Sequence, residues 1–186
     1  MTQDHSNLWT YGKLQALEGE DRWELIYGVP YLMASPCPRH QRISKLLTRH
    51  LDDFLAGKPC EAYQAIDVRL FPQESGDDDI VPIPDISVVC DPSQVDQHAC
   101  NGAPTLVIEI LSPSTAGRDF GDKKDCYKKA GVQEYWIVDP FNNEVQRFLW
   151  LGRQEKRMTF RRGETLVSPT FPGLELPLLG IFPAEP

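Results

Sequence analysis

The sequence predicts an α/β fold in which a mixed β-sheet is flanked by helices. Two nearly continuous apolar runs, 105–111 and 134–138, are typical of strands buried on both faces of a sheet. A helical segment is predicted between them over 117–130, and an amphipathic helix that ends at Gly57 precedes them. Strands and helices in this order favour a sheet with helical layers on its faces.

The other elements follow from local signals along the chain. A short helix is predicted over 9–17 with Thr10 as its cap, and two strands, 23–26 and 29–33, flank a turn at Tyr27–Gly28. In the amphipathic helix, the apolar positions recur every three or four residues: Ile43, Leu46, Leu47, Leu51, Phe54 and Leu55. Further strands are predicted over 61–71, 85–90, 145–150 and 158–160.

Length and composition favour a single globular domain over residues 1–186. The chain is 41% hydrophobic and 25% charged, values close to those of folded domains, which exclude a disordered tail or a coiled coil. No stretch of ~18 apolar residues is present, so no membrane span is expected. The first nine residues carry no Lys or Arg and no apolar stretch, so no secretory signal is expected either.

Charge and cysteine content narrow the class of protein further. The net charge of −8 argues against a protein that coats nucleic acid by charge alone, but it does not exclude an enzyme with a small basic groove and an acidic metal site. The five cysteines are odd in number and include no C-x-x-C pair, which argues against a disulfide framework and a zinc knuckle. We therefore expect reduced thiols and a cytoplasmic protein.

Two acidic residues stand where a buried strand would otherwise carry apolar residues. Glu109 lies inside the apolar run 105–111, and an ionised carboxylate there is costly unless it is paired or binds a metal. A solvated cleft or a lysine partner is the simpler explanation for Glu109 alone. Asp85 opens another strand 24 residues earlier (109 − 85 = 24), so the two carboxylates are predicted to converge at one end of the sheet and to bind Mg²⁺.

Lys123 is the predicted basic partner of these acids. Asp119, Lys123 and Tyr127 recur every four residues, so they share one face of the predicted helix 117–130. Lys124 is turned by ~100° about the helix axis and is expected to face elsewhere. An ordinary surface pair between Asp119 and Lys123 is the alternative explanation.

Several stretches together resemble the PD-(D/E)XK nuclease superfamily, and most closely its Uma2 group of restriction-endonuclease-like proteins. The matching text is Trp-Glu-Leu-Ile-Tyr-Gly-Val-Pro-Tyr at 23–31, Pro-Arg-His at 38–40, Pro-Asp-Ile at 84–86, Val-Ile-Glu-Ile-Leu-Ser-Pro-Ser-Thr at 107–115, and Ala-Gly-Val-Gln-Glu-Tyr-Trp-Ile-Val-Asp-Pro at 130–140. The resemblance implies a restriction-endonuclease-like mixed sheet with a core over about 20–150 and extra strands at both ends.

The same resemblance implies roles for individual residues. Asp85 and Glu109 would be catalytic ligands of Mg²⁺ or Mn²⁺, and Lys123 would be the lysine of the signature. Glu24 would be a further ligand, with a solvent-facing position in the hairpin 23–33 as the equal alternative. The usual position of that lysine, two residues after the glutamate, is Leu111 here, so the lysine is expected to have moved to the helix.

A metal-dependent endonuclease that hydrolyses nucleic acid, with DNA as the expected substrate, is therefore the predicted function. The alternative is a catalytically degenerate nuclease fold that binds DNA or protein. Candidate substrate contacts are His40, Arg39, Arg42 and Tyr127, although the basic residues would equally suit a solvated helix face and His40 a cap. A homodimer is expected because it would bring two basic stretches together.

Overall fold

A six-stranded mixed sheet forms the centre of the structure, a computed structural model that describes residues 8–19, 21–152 and 154–182. The helices are α1 (Tyr11–Gln15), α2 (Pro38–Leu55), α3 (Ala116–Phe120), α4 (Asp122–Ala130) and α5 (Leu178–Ile181). The strands are β1 (Trp23–Ile26), β2 (Val29–Leu32), β3 (Glu61–Gln64), β4 (Asp67–Arg69), β5 (Ile86–Val89), β6 (Ala99–Asn101), β7 (Leu106–Ile110), β8 (Glu134–Asp139), β9 (Glu144–Leu151), β10 (Gln154–Arg161), β11 (Thr165–Val167) and β12 (Glu175–Pro177).

The strand order confirms the predicted mixed sheet. It runs β10-β9-β8-β7-β5-β3, with β7 and β8 parallel and every other neighbouring pair antiparallel. The two apolar runs predicted as central strands are this parallel pair, and α3 and α4 form the crossover between them. The extra strands at both ends form separate antiparallel hairpins, β1–β2 and β11–β12, and β4 pairs with β6.

Two hydrophobic clusters cover the two faces of the sheet. On one face, Leu47 and Leu51 of α2 belong to the same cluster as Ile108 of β7 and Trp136 of β8. The other face carries the aromatic core around Tyr127 and Tyr135, next to α4. Because successive side chains of a strand point to opposite faces, Glu109 shares the α4 face with its second neighbour Val107.

Two predicted elements are interrupted. The strand predicted over 61–71 is two strands in different sheets, because Ala65 has a φ of +48° and turns the chain between β3 and β4. The helix predicted over 117–130 breaks at Gly121 into α3 and α4. A Cβ at Gly121 would lie 3.0 Å from the carbonyl oxygen of Gly117, so the break suits a residue without a side chain.

The expectation of wholly reduced thiols is wrong, because the structure pairs Cys60 with Cys90 in a disulfide. The antiparallel register of β3 and β5 matches Glu61 with Val89, so the two cysteines follow as the next facing pair. The other three cysteines, Cys37, Cys100 and Cys126, are free thiols. Within the described ranges, no helix combines the length and apolar character needed to cross a membrane.

Candidate active site

Asp85 and Glu109 face each other where β5 begins and β7 ends, at one end of the central strands. The antiparallel register of β5 and β7 matches Ile86 with Ile108, and its extension by one residue sets Asp85 opposite Glu109. Oδ2 of Asp85 accepts a hydrogen bond of 2.7 Å from the backbone N–H of Ile110, which fastens this carboxylate to the end of β7. The sheet register thus brings together two acids that are distant in sequence.

Lys123 and Tyr127 project from α4 onto Glu109. The Lys123 Nζ atom lies 2.6 Å from Oε1 of Glu109, and the Tyr127 hydroxyl donates a 2.6 Å hydrogen bond to the same oxygen. Lys123 is 2% exposed and Glu109 4% exposed, so this contact is shielded from water. Lys124 instead pairs with Glu155 at 2.8 Å, on another side of the helix.

Glu24 and Asp119 surround the same ammonium group. Lys123 Nζ lies 2.8 Å from Oε2 of Glu24 and 3.8 Å from Oδ1 of Asp119. Arg118, which the sequence analysis did not single out, lies 3.4 Å from Oε1 of Glu24 and stacks over the ring of Tyr31 at 4.2 Å. No local pattern marks Arg118, because its partners stand on β1 and β2, far away in the sequence.

His40, in the first turn of α2, approaches the site from the opposite face of the sheet. Its Nε2 atom lies 3.2 Å from Oδ1 of Asp85 and 3.1 Å from the carbonyl oxygen of Ile110, while Nδ1 is buried without a hydrogen-bond partner. Burial alone would lower the pKa of His40, but Asp85 and the Ile110 carbonyl outweigh burial and raise it. His40 therefore holds Asp85 and the end of β7 together and does not cap the helix.

The site contains more acidic than basic side chains. Glu24, Glu109 and Asp119 are buried and Asp85 is half-buried, while the two permanent cations beside them are the buried Lys123 and the half-buried Arg118. Burial raises the pKa of Glu109 well above its ordinary value and also raises that of Asp119, while Lys123 acts in the opposite direction on both.

Lys123 remains charged in this surrounding. Burial works to lower the pKa of Lys123, but Glu109, Glu24 and Asp119 outweigh it and raise that pKa. An ammonium group with a raised pKa donates hydrogen bonds and positive charge, and it does not accept a proton at neutral pH.

Carboxylate oxygens, the donors at this site, are the ligands that a hard divalent cation such as Mg²⁺ or Mn²⁺ prefers. Lys123 and Tyr127 both contact Oε1 of Glu109, and Oδ1 of Asp119 is buried without a hydrogen-bond partner. Mg²⁺ commonly takes one or two protein carboxylates and keeps several waters. Among the described residues no group of three or more His, Cys, Asp or Glu is arranged to hold a metal, and Glu24 contacts Lys123 and Arg118 instead.

Arg39 and Arg42 stand on the first turns of α2, which also carry His40. Arg39 donates a 3.1 Å hydrogen bond to Oδ1 of Asn143, in the turn between β8 and β9. Arg42 is exposed on the outer side of the helix, as are Lys45 and Arg49. His40 contacts the end of β7 and Arg39 contacts the turn between β8 and β9. The first turn of α2 is therefore fastened to this end of the sheet at two points.

Comparisons with known proteins agree with this fold. The profile of the Uma2 family, described as "Putative restriction endonuclease", matches residues 10–179. The uncharacterized Synechocystis protein sll1609 is 26% identical over 150 residues, which are 79% of this chain and 82% of that protein. A second uncharacterized Synechocystis protein, slr1290, is 29% identical over 134 residues, 69% of this chain and 66% of its own length.

A solved structure shares the same architecture. The crystal structure of a "putative nuclease belonging to DUF820" from Anabaena variabilis superposes with a TM-score of 0.75 at 22% identity. The superposition covers 93% of this chain and 97% of the other. At this identity, the likeness establishes the fold.

Proposed function

Because the chain belongs to the Uma2 family, we propose that it is a metal-dependent endonuclease that hydrolyses phosphodiester bonds, with DNA as its substrate. The observation that carries the proposal is the contact of Lys123 Nζ with Glu109 at 2.6 Å and with Glu24 at 2.8 Å, in a buried cluster beside Asp85. A buried excess of carboxylates destabilises a fold, so such clusters are concentrated at functional sites.

Asp85 and Glu109 would hold Mg²⁺ or Mn²⁺. A cation bound there would activate a water and stabilise the negative charge of the phosphoryl oxygens. The chain keeps the two carboxylates in place through neighbouring donors: the Ile110 N–H and His40 hold Asp85, and Tyr127 and Lys123 hold Oε1 of Glu109. In this proposal, Oε2 of Glu109 would be the oxygen that binds the cation.

Lys123 contributes charge rather than proton transfer. The carboxylates around it raise its pKa, so it does not serve as the base that deprotonates the attacking water. Its ammonium group orients Glu109 and offsets the negative charge of a phosphate that enters the site. We expect proton acceptance to fall to a group other than Lys123.

Arg39 and Arg42 would contact the phosphates of the nucleic acid, because both lie on the first turns of α2 next to His40. The net charge of −8 opposes tight binding by one copy of the chain. A homodimer would bring two such basic surfaces together, and light scattering at several protein concentrations tests this expectation.

Two observations favour a second candidate function, a nuclease fold that binds DNA or protein without cleavage. Three carboxylates lie within 4 Å of Lys123 Nζ, and position 111 carries leucine instead of the usual lysine. When three carboxylates already balance the charge of the Lys123 ammonium group, that group neutralises less of the charge of a substrate phosphate.

A nicking assay separates the two candidates. Supercoiled plasmid DNA and a labelled RNA are incubated with the purified protein in Mg²⁺, Mn²⁺ or EDTA. The endonuclease proposal predicts nicking of the plasmid in Mg²⁺ or Mn²⁺ and none in EDTA. Intact plasmid in both metals, with retention of the plasmid on a gel, would support the binding module instead, and cleavage of the RNA alone would overturn DNA as the substrate.

A further inference from the structure

Phe141 is an exposed aromatic residue at the edge of the sheet that carries the acidic cluster. Its side chain is 63% exposed, the largest value among the exposed large hydrophobic residues of the described chain. Its ring makes no stacking or cation–π contact with the described residues. Phe141 therefore adds nothing evident to the packing of the core.

The turn that bears Phe141 is held in one shape. The Asp139 carboxylate accepts hydrogen bonds from the backbone N–H groups of Phe141 at 2.8 Å and Asn142 at 3.0 Å, and from the Asn142 side chain at 2.7 Å. A ring that is presented on a fixed turn loses little conformational freedom when it binds a ligand.

This turn and the acidic cluster face the same end of the sheet. β7 and β8 are parallel and Ile110 is paired with Val138, so Phe141 follows β8 at the edge where Asp85 is bound to Ile110. Arg39 is joined to the turn through Asn143, and Arg42 continues the basic side of α2. The exposed ring of Phe141 and the guanidinium group of Arg39 thus belong to the end of the sheet where Asp85 is bound, and Arg42 stands about one turn further along α2.

We propose that Phe141 stacks on an unpaired base of the nucleic acid while Arg39 and Arg42 contact its phosphates. The inference rests on the proposed function and narrows the substrate to nucleic acid with unstacked bases: a single strand, a frayed end or a flap. Inside a duplex, both faces of each base are covered by neighbouring bases, so an exposed ring finds a base face only where the duplex is open. The arginines suit the phosphate backbone of the same strand.

Binding of labelled oligonucleotides tests the inference. A single-stranded 20-mer and the blunt duplex of the same sequence are titrated with protein in Ca²⁺. A denaturing gel then verifies that neither oligonucleotide was cleaved during the titration. The unmutated protein should bind the single strand more tightly than the duplex. Phe141→Ala should weaken single-strand binding roughly tenfold or more, since each stacked base contributes a large part of such affinity.

Two variants serve as controls. Phe141→Trp keeps an aromatic ring and should restore the affinity. Phe71→Ala removes another exposed phenylalanine, 42% exposed and outside this sheet edge, and should leave the affinity unchanged. Thermal unfolding of each variant verifies that the fold is retained.

The outcomes separate this inference from the proposed function. Equal binding of single strand and duplex, or full affinity of Phe141→Ala, overturns the role of Phe141 even if the protein nicks DNA in Mg²⁺. Absence of both binding and metal-dependent cleavage overturns the proposed function and the inference with it.

Discussion

The ammonium nitrogen of Lys123 lies 2.8 Å from Oε2 of Glu24, although one residue stands on α4 and the other on β1. Both side chains are buried, with 3% and 1% of their surfaces exposed. The same nitrogen contacts Glu109 on β7, so a single charged group links three separate segments of the chain. This link makes Lys123 a structural element of the site as well as a candidate participant in its chemistry.

Replacement of Lys123 by methionine should lower the free energy of unfolding by about 3–5 kcal/mol, because it leaves buried carboxylates without a counter-charge. Lys124→Met is the matched control: Lys124 pairs with Glu155 nearer the surface, where such pairs contribute about 0–1 kcal/mol. Urea unfolding of both variants measures the difference. Equal losses would show that the Lys123 pairs do not stabilise the fold.

The loss in Lys123→Met should be smaller at pH 5 than at pH 8. Lys123 holds down the pKa values of Glu109 and Asp119, so without the ammonium group these pKa values rise further in the folded state. A carboxylate with a raised folded pKa stabilises the fold below its unfolded pKa, and this contribution is lost as the pH rises through the folded pKa. Urea unfolding at the two pH values checks the sign, and a loss that grows at pH 5 would contradict it.

Asp85→Asn and Glu109→Gln should each reduce metal-dependent cleavage by roughly several hundredfold or more, since each removes a proposed charged ligand worth several kcal/mol in the transition state. Glutamine keeps an oxygen that accepts from Tyr127, so Glu109→Gln should remain folded. Nicking rates and circular dichroism measure both properties. Glu175→Gln changes an exposed acid on β12 and is the control, which should nick DNA normally. Nicking that persists in a variant with both Asp85→Asn and Glu109→Gln would indicate a contaminating nuclease.

His40→Gln should weaken Mn²⁺ binding by roughly 10–100-fold, the usual effect of removing a group that orients a metal ligand. The reason is the 3.2 Å contact between His40 Nε2 and Oδ1 of Asp85. Isothermal titration calorimetry gives the affinity without any substrate. His98→Gln alters an exposed histidine and is the control, which should bind Mn²⁺ normally. An unchanged affinity in His40→Gln would show that His40 does not orient Asp85 as a metal ligand.

The affinity for Mn²⁺ should rise as the pH increases above the range in which an ordinary glutamate loses its proton. Burial raises the pKa of Glu109 well above its ordinary value while Lys123 opposes this shift, and a protonated carboxyl must lose its proton before it binds the cation. Calorimetry in two buffers of different ionisation enthalpy measures the proton release. The release should decrease in Glu109→Gln, whereas a pH-independent affinity would speak against Glu109 as a ligand.

Thiol titration in denaturant without reductant should detect three thiols, Cys37, Cys100 and Cys126, and all five cysteines after reduction. The disulfide joins residues 30 positions apart, so its loss should lower the free energy of unfolding by ~3–4 kcal/mol. Five thiols before reduction would show that Cys60 and Cys90 are unpaired in solution.

Local patterns in the sequence determined the central strands, the amphipathic helix α2 and the helical face shared by Lys123 and Tyr127. These features depend on periodic burial and on hydrogen bonds between near neighbours, which a local pattern encodes. The same patterns failed at Ala65 and Gly121, where a single backbone conformation interrupts an otherwise regular run.

The meeting of Asp85, Glu109 and Lys123 was predicted from the sequence, whereas the tertiary structure alone decided the other contacts between distant groups. The contacts of Arg118 with Glu24 and of His40 with Asp85, and the disulfide between Cys60 and Cys90, depend on sheet register and on the packing of helices against opposite faces. An apolar strand around Glu109 signals that its carboxylate needs a partner. Helix periodicity and the resemblance singled out Lys123 as that partner, but the approach of Glu24 and His40 is determined only when β1 and α2 pack around the same end of the sheet, because charged contacts form between side chains that packing brings together.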